Sequence, residues 1–182
     1  MKKILLIAAC LISPLAHSQN QTATLAGGCF WGMEEYFRKI AGVTHTRVGY
    51  AGGEAAHVNY ARVSAGKTGL AEAVEIKFDD SKISYETLLY HFFKMHDPTT
   101  LNRQGNDVGT QYRSAIFYNS AQQKTAASAV LAQVERSNAW KKPIITQIAA
   151  TQKFYPAEEY HQKYLVKNPK GYDNHYVRPL SF

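Results

Sequence analysis

Thr22-Ala23-Thr24-Leu25-Ala26-Gly27-Gly28-Cys29-Phe30-Trp31-Gly32-Met33-Glu34-Glu35-Tyr36-Phe37-Arg38 is the stretch on which the reading of this chain turns. Residues 22–26 read as a strand that runs directly into a glycine pair. Beyond the glycines the period changes: Phe30, Met33, Phe37 and Ile40 share one face at helical spacing, and Gly42 stands where a C-terminal glycine cap is expected. Strand, tight turn and helix therefore meet at a single cysteine. A thiol at a helix N-terminus sits at the positive end of the helix dipole, near free backbone N–H donors. Both favour thiolate and are expected to lower its pKa. The glycines let backbone approach a ligand, and Phe30 and Trp31 offer apolar walls beside the sulfur. The competing reading is a buried, inert cysteine in a glycine turn.

Working outward, strands and helices alternate. Residues 43–50 are strand-like and end in Ala51-Gly52-Gly53. Residues 71–78 set Ala73, Val74, Ile76 and Phe78 against Glu72, Glu75 and Lys77. Ser84 is an N-cap for a helix that buries Tyr85, Leu88, Leu89, Phe92 and Phe93 and stops at Asp97-Pro98. Residues 101–113 form a polar, glycine-bearing loop long enough to suggest function. Residues 114–118 read as a short strand, and Ser120-Ala121-Gln122-Gln123 opens a helix through Val130, Leu131 and Val134 in capping-box form. A strand is expected over 144–149. Pro156-Ala157-Glu158-Glu159 places a proline and acids in the first turn of a final helix, and beyond Asn168 the tail is loop-like. No internal repeat or long linker is visible. The pattern predicts one α+β domain, a mixed β-sheet with packed helices, in a ferredoxin-like or α-β roll arrangement.

The first 18 residues are read separately. Met1-Lys2-Lys3 is a positive region, an apolar run follows from Ile4 to Ile12, and Ala16-His17-Ser18 offers a small-x-small cleavage site. Residues 1–18 are therefore expected to be a signal peptide and 19–182 the functional domain, exported to the periplasm. The apolar run is far short of the roughly 20 residues that span a bilayer. A rival reading is a lipoprotein signal, since Ile7-Ala8-Ala9-Cys10 resembles a lipobox. Under either reading Cys29 is the only free thiol after processing, and a single thiol in an oxidising space favours a reactive role. The formal charge of +7 includes Lys2 and Lys3 and leaves about +5 without them. Basic residues are scattered and form no stripe, so nucleic acid is not expected as a partner.

A nucleophilic cysteine needs groups that tune it and handle the proton. Glu72 interrupts the apolar run Leu70-Ala71-Glu72-Ala73-Val74; partly buried, it would have a raised pKa and serve as a proton donor. The alternative is a strand-end glutamate facing solvent. Tyr60 and Tyr112 lie in expected loops and suit the binding of a small polar oxygen, although most of the 12 tyrosines must simply pack. Asp107 has a bland reading as a turn aspartate. His91 and His96 are five apart, not the i, i+4 spacing of two ligands on one helix face, and no HExxH or paired-cysteine spacing occurs; no metal is expected. Cys29 with His161 or His175 and Asn174 has the residue types of a cysteine hydrolase or acyltransferase. A third reading is a tyrosine-rich binding domain with an inert cysteine.

Gly28-Cys29-Phe30-Trp31-Gly32 closely resembles the signature of the A-type peptide methionine sulfoxide reductases. Gly49-Tyr50-Ala51-Gly52-Gly53, Gly66-Lys67-Thr68-Gly69-Leu70-Ala71-Glu72, Ile83-Ser84-Tyr85 and His96-Asp97-Pro98-Thr99 resemble further blocks of that family, in family order. So do Gln104-Gly105-Asn106-Asp107, Gly109-Thr110-Gln111-Tyr112-Arg113-Ser114 and the block from Phe154 to Gln162. The resemblance implies Cys29 as nucleophile and Glu72 as acid. It also implies Tyr60, Tyr112 and Asp107 around the sulfoxide oxygen, and Phe30 and Trp31 as the pocket for the S-methyl group. The implied substrates are oxidised peptides or proteins, or free methionine sulfoxide, reduced by a monomer that needs no cofactor. Two departures stand out. Leu70 and His57-Val58-Asn59 replace residues common in the family, and the tail from Asn168 to Phe182 has none of the resolving cysteines that many members carry. A thioredoxin-like protein or small thiol is therefore expected to regenerate Cys29.

Overall fold

The computed structural model describes residues 20–182. The expected signal peptide, and Cys10 with its lipobox reading, lie outside the described residues. The chain begins with β1 (Asn20–Gly27), α1 (Phe30–Phe37), β2 (Val43–Ala51), a short α2 (Tyr60–Ser64) and β3 (Ala71–Asp79). It continues with α3 (Tyr85–Met95), the small hairpin β4 (Arg103–Gln104) and β5 (Asp107–Val108), a 3-10 turn (Thr110–Tyr112), and β6 (Ser114–Tyr118). The last elements are α4 (Ala121–Ser137), β7 (Gln147–Ala150), β8 (Tyr155–Pro156) and α5 (Tyr164–Lys167).

The six-stranded sheet runs β7-β6-β1-β3-β2-β8. Only β6 and β7 pair parallel; the other neighbours are antiparallel, so the sheet is mixed. Its heart is a β-α-β-β-α-β unit, β1-α1-β2-β3-α3-β6, with the strands ordered β6-β1-β3-β2 as in ferredoxin-like folds. The α+β expectation holds. One sheet face, carrying Leu25, Val48, Tyr50, Val74, Ile76 and Phe78, forms the main core with Phe30, Met33 and Phe37 of α1, Leu88, Leu89 and Phe92 of α3, and Val130 and Val134 of α4. The other face is made of small residues, Ala26, Ala51, Ala71, Ala73 and Ala115, packed with Phe117 and Phe154.

Capping follows the sequence at two helix starts, whereas α1 ends at Phe37 with Arg38 as C-cap, short of the Ile40 face and Gly42 cap expected. Ser84 accepts from the Thr87 N–H and Ser120 from the Gln123 N–H, satisfying orphan donors at two helix starts. Two further expectations need correction. Tyr60 is not a loop residue: it opens α2, with Asn59 as N-cap accepting from the Arg62 N–H. The helix expected from Pro156 does not form there either. Tyr155 and Pro156 instead pair with Tyr50 and Gly49, turns follow, and only Tyr164–Lys167 is helical. Tertiary bonds claim the side chains that would have supported that helix. Glu158 accepts from the Tyr60 N–H and the Tyr50 hydroxyl, and Gln162 bonds both the N–H and the carbonyl of Val48.

Candidate active site

Antiparallel pairing brings four chain segments to one end of the sheet. Gly27 at the end of β1 faces Ser114 at the start of β6, and Ala51 at the end of β2 faces Ala71 at the start of β3. Cys29 follows β1, Tyr60 follows β2, Glu72 is the second residue of β3 and Tyr112 precedes β6. Residues far apart in sequence thus share one site because their strands begin or end there.

Cys29 is the N-cap of α1, with a side chain that makes no capping bond. Gly28 before it has φ +102°, a left-handed conformation that a side chain would strain. Glu72 lies on the same sheet face as Val74 and Ile76, beneath the start of α1, and is 2% exposed. The solvent-facing alternative is excluded. Its Oε2 accepts the N–H of Phe30 at 3.0 Å, so the carboxyl caps the helix that carries the thiol. Burial pushes Glu72 up to about 8, with the Asp107 charge adding to the rise against the Phe30 bond. Near neutral pH it is a protonated acid held next to the thiol.

The expectation for the thiol itself must be corrected. Cys29 is 7% exposed, and burial raises its pKa well above the ordinary thiol value, with the charges of Glu72 and Asp107 adding to the rise. The backbone N–H groups of Trp31 and Gly32 pull the other way, as the helix-start argument requires, but they lose. Desolvation is a property of the whole fold and outweighs the local dipole. At rest Cys29 is a neutral thiol.

The charge on Glu72 acts on Cys29, Tyr60 and Tyr112, and Asp107 acts on the same three, so these five expected residues share one electrostatic neighbourhood. Burial, followed by these negative charges, raises both phenols, so Tyr60 and Tyr112 stay protonated and keep an O–H to donate. Asp107 is not satisfying its own loop. Its Oδ1 accepts from the Tyr172 hydroxyl at 3.0 Å and its Oδ2 from Asn174 Nδ2 at 2.9 Å, both in the C-terminal tail.

Phe30 is buried, its ring 5.9 Å from that of Tyr50 and 5.0 Å from that of His161. Trp31 is half-buried, stacked on Tyr164 at 3.8 Å, with its indole N–H donated to His161 Nδ1 at 3.0 Å. The two aromatics, next to Cys29 in the chain, are therefore held by Tyr50, His161 and Tyr164. The larger surface clefts, about 520 Å³ each, lie beside α3 and α4 and touch none of these residues. The assignment rests on the convergence of chemistry and not on cavity size.

The hydrolase constellation does not assemble. His161 spends Nδ1 on Trp31, and burial lowers its pKa. His175 turns Nε2 to the Gly27 carbonyl and Nδ1 to Asp173, while Asn174 bonds Asp107. Neither imidazole bonds the Cys29 thiol or Asn174, so no base is oriented on the nucleophile. Sequence reading missed Glu158, which holds Tyr60, and the tail residues that hold Asp107. Glu158 was visible only as a helix-start acid, and nothing local marked the tail.

A ferredoxin-like α+β domain whose described residues hold one cysteine at a helix start, a buried β3 carboxyl bonded to that start and two tyrosines in the same electrostatic neighbourhood has the make-up of a thiol-dependent oxidoreductase site. A family model described as peptide methionine sulfoxide reductase matches residues 21–181. The peptide methionine sulfoxide reductase MsrA 1 of Mesorhizobium japonicum is 50% identical over 162 residues, covering 89% of this chain and 92% of the relative. The MsrA of Methanosarcina mazei is 53% identical over 152 residues, covering 84% of this chain and 71% of that one. Among solved structures, reduced Mxr1 from Saccharomyces cerevisiae superposes with a TM-score of 0.82 at 38% identity, covering 93% of this chain and 97% of its own. The methionine sulfoxide reductase A of Corynebacterium diphtheriae gives 0.81 at 35%, covering 89% and 81%. The yeast Mxr1 in complex with Trx2 gives 0.60 at 26%, covering 93% and 96%. The chain belongs to the peptide methionine sulfoxide reductase family, in its A-type branch.

Proposed function

We propose that this enzyme reduces the S epimer of methionine sulfoxide in peptides and proteins. The observation that carries the reading is the contact of a protonated, buried Glu72 with the helix start that bears Cys29. Sulfoxide sulfur becomes electrophilic when its oxygen is protonated or strongly hydrogen-bonded. Tyr60 and Tyr112 donate to that oxygen and Glu72 delivers its proton. Cys29 Sγ attacks the sulfoxide sulfur as its own proton passes to the carboxylate that Glu72 has become. The Sγ–S bond so formed and the substrate S–O bond then break as the hydroxyl passes to Sγ, so the oxygen ends on Cys29 and Glu72 is protonated again. The substrate sulfur gains two electrons and departs as methionine; Cys29 loses two and becomes sulfenic acid. Phe30 and Trp31 hold the methyl group and thereby fix which face of sulfur meets the thiol.

Sulfenic acid then condenses with an external thiol, releasing water and forming a mixed disulfide that a second thiol resolves. A thioredoxin-like protein is the reductant we favour, because the described residues contain Cys29 as their one cysteine and the related yeast enzyme has been crystallised with Trx2. The leader-like residues 1–18 support repair of oxidised proteins in an exported setting, outside the cytoplasm. The deciding assay offers each separated sulfoxide epimer with dithiothreitol as reductant. Reduction of the S epimer alone is expected; equal use of both epimers would refute the A-type reading.

A further inference from the structure

The C-terminal tail belongs to none of the steps above, yet it is bonded to both sides of the site. Asn174 Nδ2 donates to Asp107 Oδ2 at 2.9 Å, to the Gln104 carbonyl at 2.9 Å and to the Tyr172 hydroxyl at 3.1 Å. Tyr172 in turn donates to Asp107 Oδ1, so both carboxylate oxygens are held from the tail. One residue on, His175 Nε2 lies 2.8 Å from the Gly27 carbonyl. A carbonyl only accepts, so Nε2 carries the hydrogen and donates. Asp173 Oδ1 receives the His175 backbone N–H at 2.9 Å, which fixes the turn that carries the ring. The His175 side chain is only 3% exposed.

The glycines of the motifs make room for these residues. A Cβ on Gly28 would stand 3.1 Å from His175 Nε2, besides crowding Gln104, and one on Gly105 would stand 3.2 Å from Asn174 Nδ2. A Cβ on Gly32 would collide with Asp173 and with His175 Nδ1. Gly32 lies inside α1, where glycine costs about 1 kcal/mol relative to alanine. What that helix gains is space for the tail. The backbone approach that the glycines permit is thus to the protein's own tail and to Gln104, not only to a ligand.

We propose that the tail is a fixed strap that completes the active site, with Asn174 and His175 as positioning residues. Asn174 sets Asp107 and the Gln104 loop beside it. His175 holds the Gly27-Gly28 turn and therefore the placement of Cys29 against Glu72. The inference rests on the sulfoxide reductase reading and assigns the tail a part in it that requires no cysteine.

The test uses the full chain carrying Cys10→Ser and measures methionine formed in a single turnover without reductant, across substrate concentrations. Rates are taken per active site, counted from the amplitude. His175→Leu should lower the saturating rate about tenfold or more, because small displacements of reacting groups carry costs of that order. Its half-saturating concentration should barely move. His175→Gln, which keeps an N–H donor, should recover most of the rate. Asn174→Ala should instead raise the half-saturating concentration severalfold through Asp107. If His175→Leu does not fold, Gly32→Ala, which displaces the tail while leaving its donors intact, should show the same loss of rate. Variants that lose amplitude or thermal stability while their surviving sites keep wild-type rate and half-saturation would overturn the proposal. A reference chain that forms no methionine from either epimer would instead remove the reductase reading beneath it.

Discussion

At the scale of single residues, Cys29 and Glu72 form a coupled pair whose charges oppose each other. The carboxylate form of Glu72 raises the thiol pKa, and the protonated form does not. Glu72→Gln should therefore have two effects of opposite sign. It should slow the chemical step by roughly 100-fold, the usual scale for losing a general acid. It should also speed alkylation of Cys29 by iodoacetamide at pH 9, because the opposing charge is gone. Slower sulfoxide reduction with unchanged alkylation would mean that Glu72 does not act on the thiol. The pH profile has its own signature. With Glu72 pushed up to about 8, the single-turnover rate should lose its acid contribution as pH rises through 8, and Glu72→Gln should lack that limb. A dipole-lowered thiol was the natural reading of the glycine-flanked helix start. It failed because desolvation depends on what α1, β3 and the tail bring around the sulfur, which no local window contains.

At the scale of elements, the parts legible in sequence were those whose signals are local. The turn at Gly27-Gly28, the helical face of Phe30, Met33 and Phe37, and the caps Ser84 and Ser120 all appear where period and capping place them. The segment after Pro156 was not legible, because Glu158 and Gln162 are bonded across the sheet to Tyr50, Tyr60 and Val48 in preference to supporting a helix. Cys29, Glu72, Tyr60, Asp107 and Tyr112 do share one neighbourhood, and the shared strand ends explain why. Asp107 was right in place and incomplete in detail, since its partners lie 65 and 67 residues away. The stiffness of α1's first turn carries a prediction. Trp31→Ala removes a ring fixed by both Tyr164 stacking and a His161 hydrogen bond, so the slot beside Cys29 opens. Weaker binding of the S epimer and measurable turnover of the R epimer are expected. Unaltered epimer selectivity, measured by chiral separation of residual substrate, would place the methyl group elsewhere.

At the scale of the whole molecule, the sheet and its covering helices trap a histidine that links fold stability to pH. His96 is 1% exposed and bonded to the Phe92 carbonyl and to Ser114 Oγ, and burial pulls it down to about 3. Above about 6.5 it is neutral in both folded and unfolded chains and contributes no pH dependence. Below that value the unfolded chain takes up a proton that the folded chain refuses. Stability should fall as pH drops from about 6.5 toward 3, by at most about 1.4 kcal/mol per pH unit from this group. Urea unfolding of His96→Asn should show a flatter acid limb than the parent chain; identical limbs would show that other groups control it.

The central claim is that Cys29 alone takes the oxygen from the sulfoxide. In a chain carrying Cys10→Ser, Cys29 is the only thiol. Such protein, mixed with excess S-epimer sulfoxide and no reductant, should release one equivalent of methionine and stop. Its mass should rise by one oxygen atom on the peptide containing Cys29, trapped as a dimedone adduct, and Cys29→Ser should release none. Release of methionine from folded Cys29→Ser, or an unmodified Cys29 after one equivalent has formed, would contradict the account.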